Sequence, residues 1–340
     1  MIVWMDSCQR LRTDALASQR YGTASAAWTA TGGRNNGPRI TVGVGFYAAL
    51  VVPLHPPPSG STFLLGCRLC SKPNTYPGWV GPTWEGAAQV GLEIAADGTL
   101  SIRVGPTGTV LASAYAAYDG EVRYLSFEMG VDASAGYTRV YLDGVAIDYL
   151  CLDDLDTRPQ VGGLWDGFYV GGSWGPSFCD LLVADGTDPS GAGHDLHDIW
   201  MDARVDYLPV NGNGYSSEFV GEDADSVNNF AQVDETSPDD DTTYVESGVP
   251  AIDGYAKAAC PAGTATVLGA AVYARGKKTD AGVAAAKVGL RSGSTNEMSD
   301  AQALAVHYAD AYLHVGHDPD DGAAFTPSSF DAMEVVVEKA

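Results

Sequence analysis

Basic residues are scarce in this 340-residue chain: 19 Lys and Arg stand against 43 Asp and Glu, a formal net charge of −24. Such a surface repels phosphate backbones and anionic headgroups, so no nucleic-acid partner is expected. No run approaches 18 uninterrupted apolar residues, and no membrane insertion is expected. Cysteine is sparse as well, with six thinly spread residues, Cys8, Cys67, Cys70, Cys151, Cys179 and Cys260. The opening Met1-Ile-Val-Trp-Met-Asp6 lacks the basic region of a signal peptide, so free thiols are expected rather than a disulfide framework. Long amphipathic helical stripes are missing too. What remains is rich in Gly, Ala, Ser, Thr and Asp, and 45% apolar residues suffice for a true core, which excludes a disordered chain.

The clearest positive signal lies between Leu92 and Gly144. Three stretches alternate apolar with polar residues: Leu92-Glu-Ile-Ala-Ala-Asp-Gly-Thr-Leu-Ser-Ile-Arg-Val104, Glu121-Val-Arg-Tyr-Leu-Ser-Phe-Glu128 and Tyr137-Thr-Arg-Val-Tyr-Leu-Asp-Gly144. Alternation at period two predicts antiparallel strands with one face buried. Asp97-Gly98 and Asp143-Gly144 are read as two-residue type I′ hairpin turns. Further strands are predicted over residues 45–53, 62–69, 168–171 and 178–184, with a short helical stretch near 13–21. The small, polar run Gly186-Thr-Asp-Pro-Ser-Gly-Ala-Gly193 reads as a linker. The expectation is therefore an all-β chain: a sandwich over 1–185, a linker over 186–203 and a second, smaller β-sandwich over 204–340, serving docking or oligomerisation. Strands in the second part are predicted at 203–208, 243–246, 251–258, 264–275, 283–291, 304–315 and 332–338.

Asp97-Gly-Thr-Leu100, Tyr141-Leu-Asp-Gly144, Phe168-Tyr-Val-Gly-Gly172 and the closing Asp180-Leu-Leu-Val-Ala-Asp-Gly186 resemble, in their order, a concanavalin A-like, laminin G-type jelly roll. Asp202-Ala-Arg-Val-Asp206, Pro238-Asp-Asp-Asp-Thr-Thr-Tyr-Val245, Ala271-Val-Tyr-Ala-Arg275 and Val288-Gly-Leu-Arg-Ser-Gly293 extend the resemblance to tailed-bacteriophage virion structural proteins. That resemblance implies a non-enzymatic component of a virion, surface- or tail-associated and made in the host cytoplasm. Its partners would be capsid or tail proteins and copies of itself. The alternative is an adhesin, a tail fibre or receptor-binding protein that recognises host glycan through exposed Trp and Tyr loops. Fold alone does not choose between them.

Candidate residues follow from chemistry. Tyr76-Pro-Gly-Trp-Val-Gly-Pro-Thr-Trp84 reads as a Pro/Gly-rich loop, and Trp165 and Trp174 flank another. Tyr76, Trp79, Trp84, Trp165 and Trp174 are thus the candidates for stacking on a sugar or anchoring a partner. Laminin G-type domains often bind calcium at a loop rim, so Asp153, Asp154 and Asp156 are the candidate ligands for calcium, the one cofactor considered, with Asp239-Asp240-Asp241 a second acidic cluster. No catalytic residues are assigned. Glu121 and Glu128 are seven positions apart, an odd separation that places them on opposite faces of one extended strand. His194 and His197 read as linker residues. The pair Cys67-Arg-Leu-Cys70 sits in a strand-like run and is expected to fill the core.

Overall fold

The structure, a computed structural model, describes residues 2–6, 26–29, 39–42, 49–53, 62–71, 77–84, 87–115, 117–158, 165–172, 177–186, 203–236 and 238–340. The helical stretch near 13–21, most of the linker and Cys8 lie outside them. Two compact units are present, one of described residues between Val3 and Asp206, the other from Tyr207 to Ala340.

In the first unit the strands are β1 (Ile2–Asp6), β2 (Ala26–Thr29), β3 (Arg39–Val42), β4 (Ala49–Pro53), β5 (Thr62–Ser71), β6 (Gly78–Trp84), β7 (Ala87–Ala88) and β8 (Val90–Ile94). They continue as β9 (Leu100–Val104), β10 (Val110–Ala114), β11 (Arg123–Gly130), β12 (Gly136–Leu142), β13 (Val145–Ala146), β14 (Leu152–Leu155), β15 (Gly167–Gly172) and β16 (Ser177–Ala184). One sheet of nine strands runs β13-β12-β11-β5-β16-β3-β2, with β1 on β16 and β14 on β12. The other has seven, in the order β10-β9-β8-β6-β15-β4 with β7 on β6. Phe63, Leu65, Phe127 and Met129 of the first sheet share one buried cluster with Leu92, Ile94, Ile102 and Phe168 of the second. The two sheets therefore form a sandwich around a common core. Burying each such side chain stabilises the unit by about 1.5–3 kcal/mol.

The two Asp-Gly pairs turn differently. Leu142 pairs with Val145, so Asp143-Gly144 is a two-residue loop, and both residues have positive φ (48° and 77°) as a type I′ turn requires. Ile94 pairs with Leu100, which leaves five residues between the strands. There Gly98 donates to the Ala95 carbonyl at 3.0 Å, Ala95 donates to that of Thr99 at 2.9 Å, and only Gly98 takes a positive φ, 86°. That is a type I turn closed by a glycine bulge rather than a type I′ turn. Asp97 caps it by accepting from the Thr99 N–H.

The largest departure from expectation is the segment read as a Pro/Gly-rich loop. Residues 78–84 form β6, inside the seven-stranded sheet between β8 and β15. Its glycines serve packing. A Cβ on Gly81 would lie 2.7 Å from Trp79 Cη2, and one on Gly91 of β8 would also strike the Trp79 indole. The indole thus lies flat over two residues that must lack side chains, a pairing that local propensity rules penalise.

The second unit holds β17 (Val210–Ser217), β18 (Val220–Gly221), β19 (Val245–Glu246), β20 (Ala251–Lys257), β21 (Ala270–Gly276) and β22 (Ala285–Ser292). After them come β23 (Thr295–Met298), β24 (Gln302–Ala303), β25 (Ala309–Val315), a short helix α1 (Pro327–Asp331) and β26 (Glu334–Lys339). Sheet order is β17-β20-β26-β22-β23, with β24 on β22, and β21 and β25 form a separate antiparallel ribbon. Val288 and Leu290 of β22 pack against Val272, Ala311 and Val315 of that ribbon, closed off by Phe325, Phe330 and Met333. Thr326 caps α1 by accepting from the Ser329 N–H at 3.0 Å while Ser329 accepts from the Thr326 N–H at 3.2 Å. Residues 203–208, expected as a strand, are irregular; the strand begins at Val210 instead. Its Val-Asn-Gly-Asn-Gly run has little strand propensity, and it is held by pairing with β20.

One buried carboxylate organises this unit. Asp253, fully buried, accepts from the backbone N–H groups of Glu218 (2.5 Å) and Phe219 (2.8 Å), from Asn229 Nδ2 (2.6 Å) and from the Tyr255 hydroxyl (2.8 Å). Four donors on one carboxylate compensate its desolvation. They also tie β20 to the chain that follows β17.

Candidate functional site

Of the aromatic residues singled out from the sequence, the described ones, Trp79, Trp84 and Trp165, do not form an exposed site. Trp79 and Trp165 are only 3% and 1% exposed. Trp79 is covered edge-on by Tyr169, centroids 5.1 Å apart, and Trp165 stands edge-on to Phe63 in the core, also at 5.1 Å. Trp84, at the end of β6, is half-buried, while Tyr76 and Trp174 lie outside the described residues. For Trp79 and Trp84 the physical reason is that β6 is a strand in the body of a sheet, not a loop.

Two of the three acidic candidates are engaged locally. Asp153 pairs with Arg139 at 2.6 Å, and Asp156 accepts from the Arg158 N–H at 3.1 Å. Asp154 is exposed and holds a positive φ of 54°. Among the described residues no group of three or more His, Cys, Asp or Glu side chains is arranged to hold a metal ion. Glu121 precedes β11, which starts at Arg123, so the expected placement of Glu121 and Glu128 on one strand does not apply. Glu128 is buried on β11 and accepts the Tyr137 hydroxyl proton at 2.5 Å. Burial first, and then this bond, push the Tyr137 phenol up to about 12.

A different group is assembled by the ribbon of the second unit. Register places Ala271 opposite His314, Tyr273 opposite Tyr312 and Arg275 opposite Asp310. Residues of the other parity, among them Ala270, Val272, Ala311 and Val315, enter the core. Strand alternation therefore turns Tyr273, Arg275, Asp310, Tyr312 and His314 to the opposite face, where all five remain half-buried. The three rings are neighbours: centroids lie 6.4 Å apart for Tyr273 and Tyr312, 6.2 Å for Tyr273 and His314, and 5.7 Å for Tyr312 and His314. Behind Tyr312, Gln302 donates to its carbonyl at 3.0 Å and accepts from its N–H at 3.3 Å, which steadies that edge of β25.

Ionic groups flank the rings. Arg275 Nε bonds Asp240 Oδ1 at 2.8 Å, its Nη1 lies 3.7 Å from Asp310, and its guanidinium sits 5.2 Å over the Tyr308 ring. Lys277 pairs with Asp241 and lies 4.5 Å over the same ring, and the Tyr308 hydroxyl donates to Asp241 at 2.9 Å. Lys277 and then Tyr308 hold the Asp241 carboxyl below the usual range. Asp241 in turn raises the Lys277 ammonium. Two members of the acidic run 239–241 thus face the basic end of β21, and Asp239 accepts from Thr243.

Tyr308-x-Asp310-x-Tyr312-x-His314 is visible in the sequence as strict alternation. What the sequence does not disclose is which parity faces outward. Chemically the face offers flat apolar rings beside planar ionic groups with several hydrogen-bonding edges.

No protein-family model matches the sequence, and no curated protein matches it. Among solved structures the chain is similar to the metal-free exoplasmic/lumenal domain of VIP36, with 9% identity over 54% of this chain and 95% of that one and a TM-score of 0.32. It is also similar to the potassium-bound carbohydrate recognition domain of Emp46p, with 12% identity over 54% and 97% and a TM-score of 0.30. A third likeness is to the catalytic domain of a GH131 β-glucanase from Podospora anserina, with 11% identity over 48% and 81% and a TM-score of 0.30. At scores near 0.3 these are likenesses and no more; the all-β architecture of this chain stands on its own strand pairing.

Proposed function

We propose that this chain is a carbohydrate-binding β-protein that recognises uncharged sugar units through the Tyr273, Tyr312 and His314 face of the β21–β25 ribbon. The observation that carries the reading is the grouping of three rings on one outward strand face beside Arg275, Asp310 and Asp240. Pyranose rings have an apolar C–H face that stacks on aromatic rings and a rim of hydroxyls that needs hydrogen-bonding partners. Carboxylate and guanidinium groups present paired donors and acceptors suited to such a rim. Sugar charge follows from the electrostatics. Arg275 and Lys277 stand against Asp240, Asp241 and Asp310, so carboxylates outnumber cations beside the rings, on a chain of net charge −24. Sialylated or sulfated units are therefore disfavoured.

The setting we propose is the surface of a tailed-phage particle, with folding in the host cytoplasm and assembly alongside capsid or tail proteins. It is supported by the order of the sequence motifs alone. Immunogold electron microscopy of purified particles tests it, regular labelling being expected and absence from intact particles counting against it.

For the binding face, a glycan array followed by saturation-transfer NMR on the hits is the direct test. Tyr312→Ala and Tyr273→Ala each weaken binding by about tenfold, while Trp84→Ala leaves it unchanged. A silent array, or binding that survives both tyrosine substitutions in folded protein, rejects the reading.

A further inference from the structure

Two of the buried cysteines are in contact. Cys70 Sγ of β5 lies 3.6 Å from Cys179 Sγ of β16, in the nine-stranded sheet of the first unit. Both residues are buried, and both belong to the core cluster. Regular antiparallel pairing would not bring them together this way; two local irregularities do. Leu69 pairs with Phe178 and Ser71 with Ser177, so Cys70 is an extra residue on β5 with no direct partner. Between Cys179 and Leu182 the register shifts again, and Asp180 there holds a positive φ of 53°. Such bulges re-aim a side chain relative to the pleat. Here they turn both sulfurs to the core side.

We propose that Cys70 and Cys179 are a latent disulfide, a dithiol in reducing surroundings and a cystine once the chain folds in oxidising ones. Sulfurs at van der Waals contact on neighbouring strands need to close by roughly 1.5 Å to reach bonding distance. The oxidant is a low-molecular-weight disulfide. One cysteine thiolate attacks it and expels a thiolate, forming a mixed disulfide; the second cysteine thiolate then attacks the protein-bound sulfur and releases the other thiolate. Two protein thiols lose two protons and two electrons, and one small disulfide becomes two small thiols.

The surroundings govern when this happens. Burial raises the neighbouring Cys67 thiol far above its ordinary value, with Cys179 and Asp180 adding to the effect. The same apolar core excludes an oxidant from Cys70 and Cys179 in the folded protein. The bond therefore forms while β16 is still unpaired from β5, during folding or a partial opening. It closes a span of 109 positions, long enough for a large constraint on the unfolded chain.

The test refolds the full chain from denaturant with either oxidised glutathione or a strong reductant. After oxidative refolding, thiol titration in denaturant falls from six groups to four, and peptide mapping links Cys70 to Cys179. The melting temperature of the oxidised protein lies roughly 10 °C above that of the reduced one. Cys70→Ser and Cys179→Ser each abolish the loss of thiols, and Cys67→Ser does not. The wild-type comparison needs no substitution, so a poorly folding variant leaves the result readable. Six titratable thiols after oxidative refolding, or a link between any other pair, overturns the proposal.

Discussion

The rings that fill the first unit's core contrast with those on the second unit's ribbon, which stay at the surface. In the first, Trp165, Tyr118, Phe63, Phe127 and Phe168 are all at most 1% exposed, and they fill the space between two broad sheets. In the second, Tyr273, Tyr308 and Tyr312 stay half-buried on the ribbon's outward side, while the ribbon's inward positions are Ala270, Val272, Ala311 and Val315. Core volume explains the difference. A broad two-sheet sandwich has room for aromatic rings, whereas a two-stranded ribbon lying close on β22 admits little more than alanine and valine. The buried rings of the second unit come from elements other than the ribbon: Phe219, Phe325 and Phe330 are at most 6% exposed, and Tyr255 is buried with its hydroxyl bound to Asp253. Alternation is the same in both units; what packs on each face decides whether a ring is structure or surface.

Three substitutions break or sharpen that contrast. The largest effect is expected in the second unit, at its buried polar centre. Asp253→Ala leaves four donors without their acceptor and destabilises the unit by about 4 kcal/mol. Native-state hydrogen exchange would place the loss in β20 and β26; undiminished protection there would show that the network contributes little. Next, in the first unit, Gly91→Ala drives a methyl into the Trp79 indole and costs about 2 kcal/mol. Urea denaturation checks it, and a neutral result would mean that Trp79 has room to move.

The smallest effect concerns Lys257, buried in the second unit with its Nζ 4.0 Å over the Phe330 ring and no hydrogen-bond partner among the described residues. Burial holds its ammonium below the ordinary value of 10.5. The unfolded chain therefore binds more protons between that lowered value and 10.5, and wild-type stability rises with pH across this window. Lys257→Met is expected to stabilise the protein by about 1 kcal/mol below the window, an advantage that fades as pH rises through it. Thermal melts across the alkaline range test the sign; a stability gain independent of pH would assign the effect to packing alone.

Local chemistry accounts for what was legible in advance. The β8–β9 and β11–β12 strands follow from period-two alternation, and Asp143-Gly144 adopts the turn its residue types favour. Cys67 and Cys70 lie in the core, as their place in an apolar strand suggests. Two expectations about described segments failed for identifiable reasons. β6 and β17 are rich in Gly, Pro or Asn, residues that signal loops by local preference, and only their neighbours make them strands. Trp79 and Trp165 have the chemistry of recognition residues and the positions of packing residues.

By itself, then, the sequence determined the strand-dominated class, several hairpins and the acidic surface, because each depends on residues a few positions apart or on composition alone. Tertiary structure decided which parity of each strand is covered. It laid the Trp79 indole over Gly81 and Gly91, brought Cys70 to Cys179, and left Tyr273 and Tyr312 facing outward. Those outcomes depend on contacts between segments far apart in the chain, where the volume available on each side of a sheet, and not the character of the residue, determines what is buried.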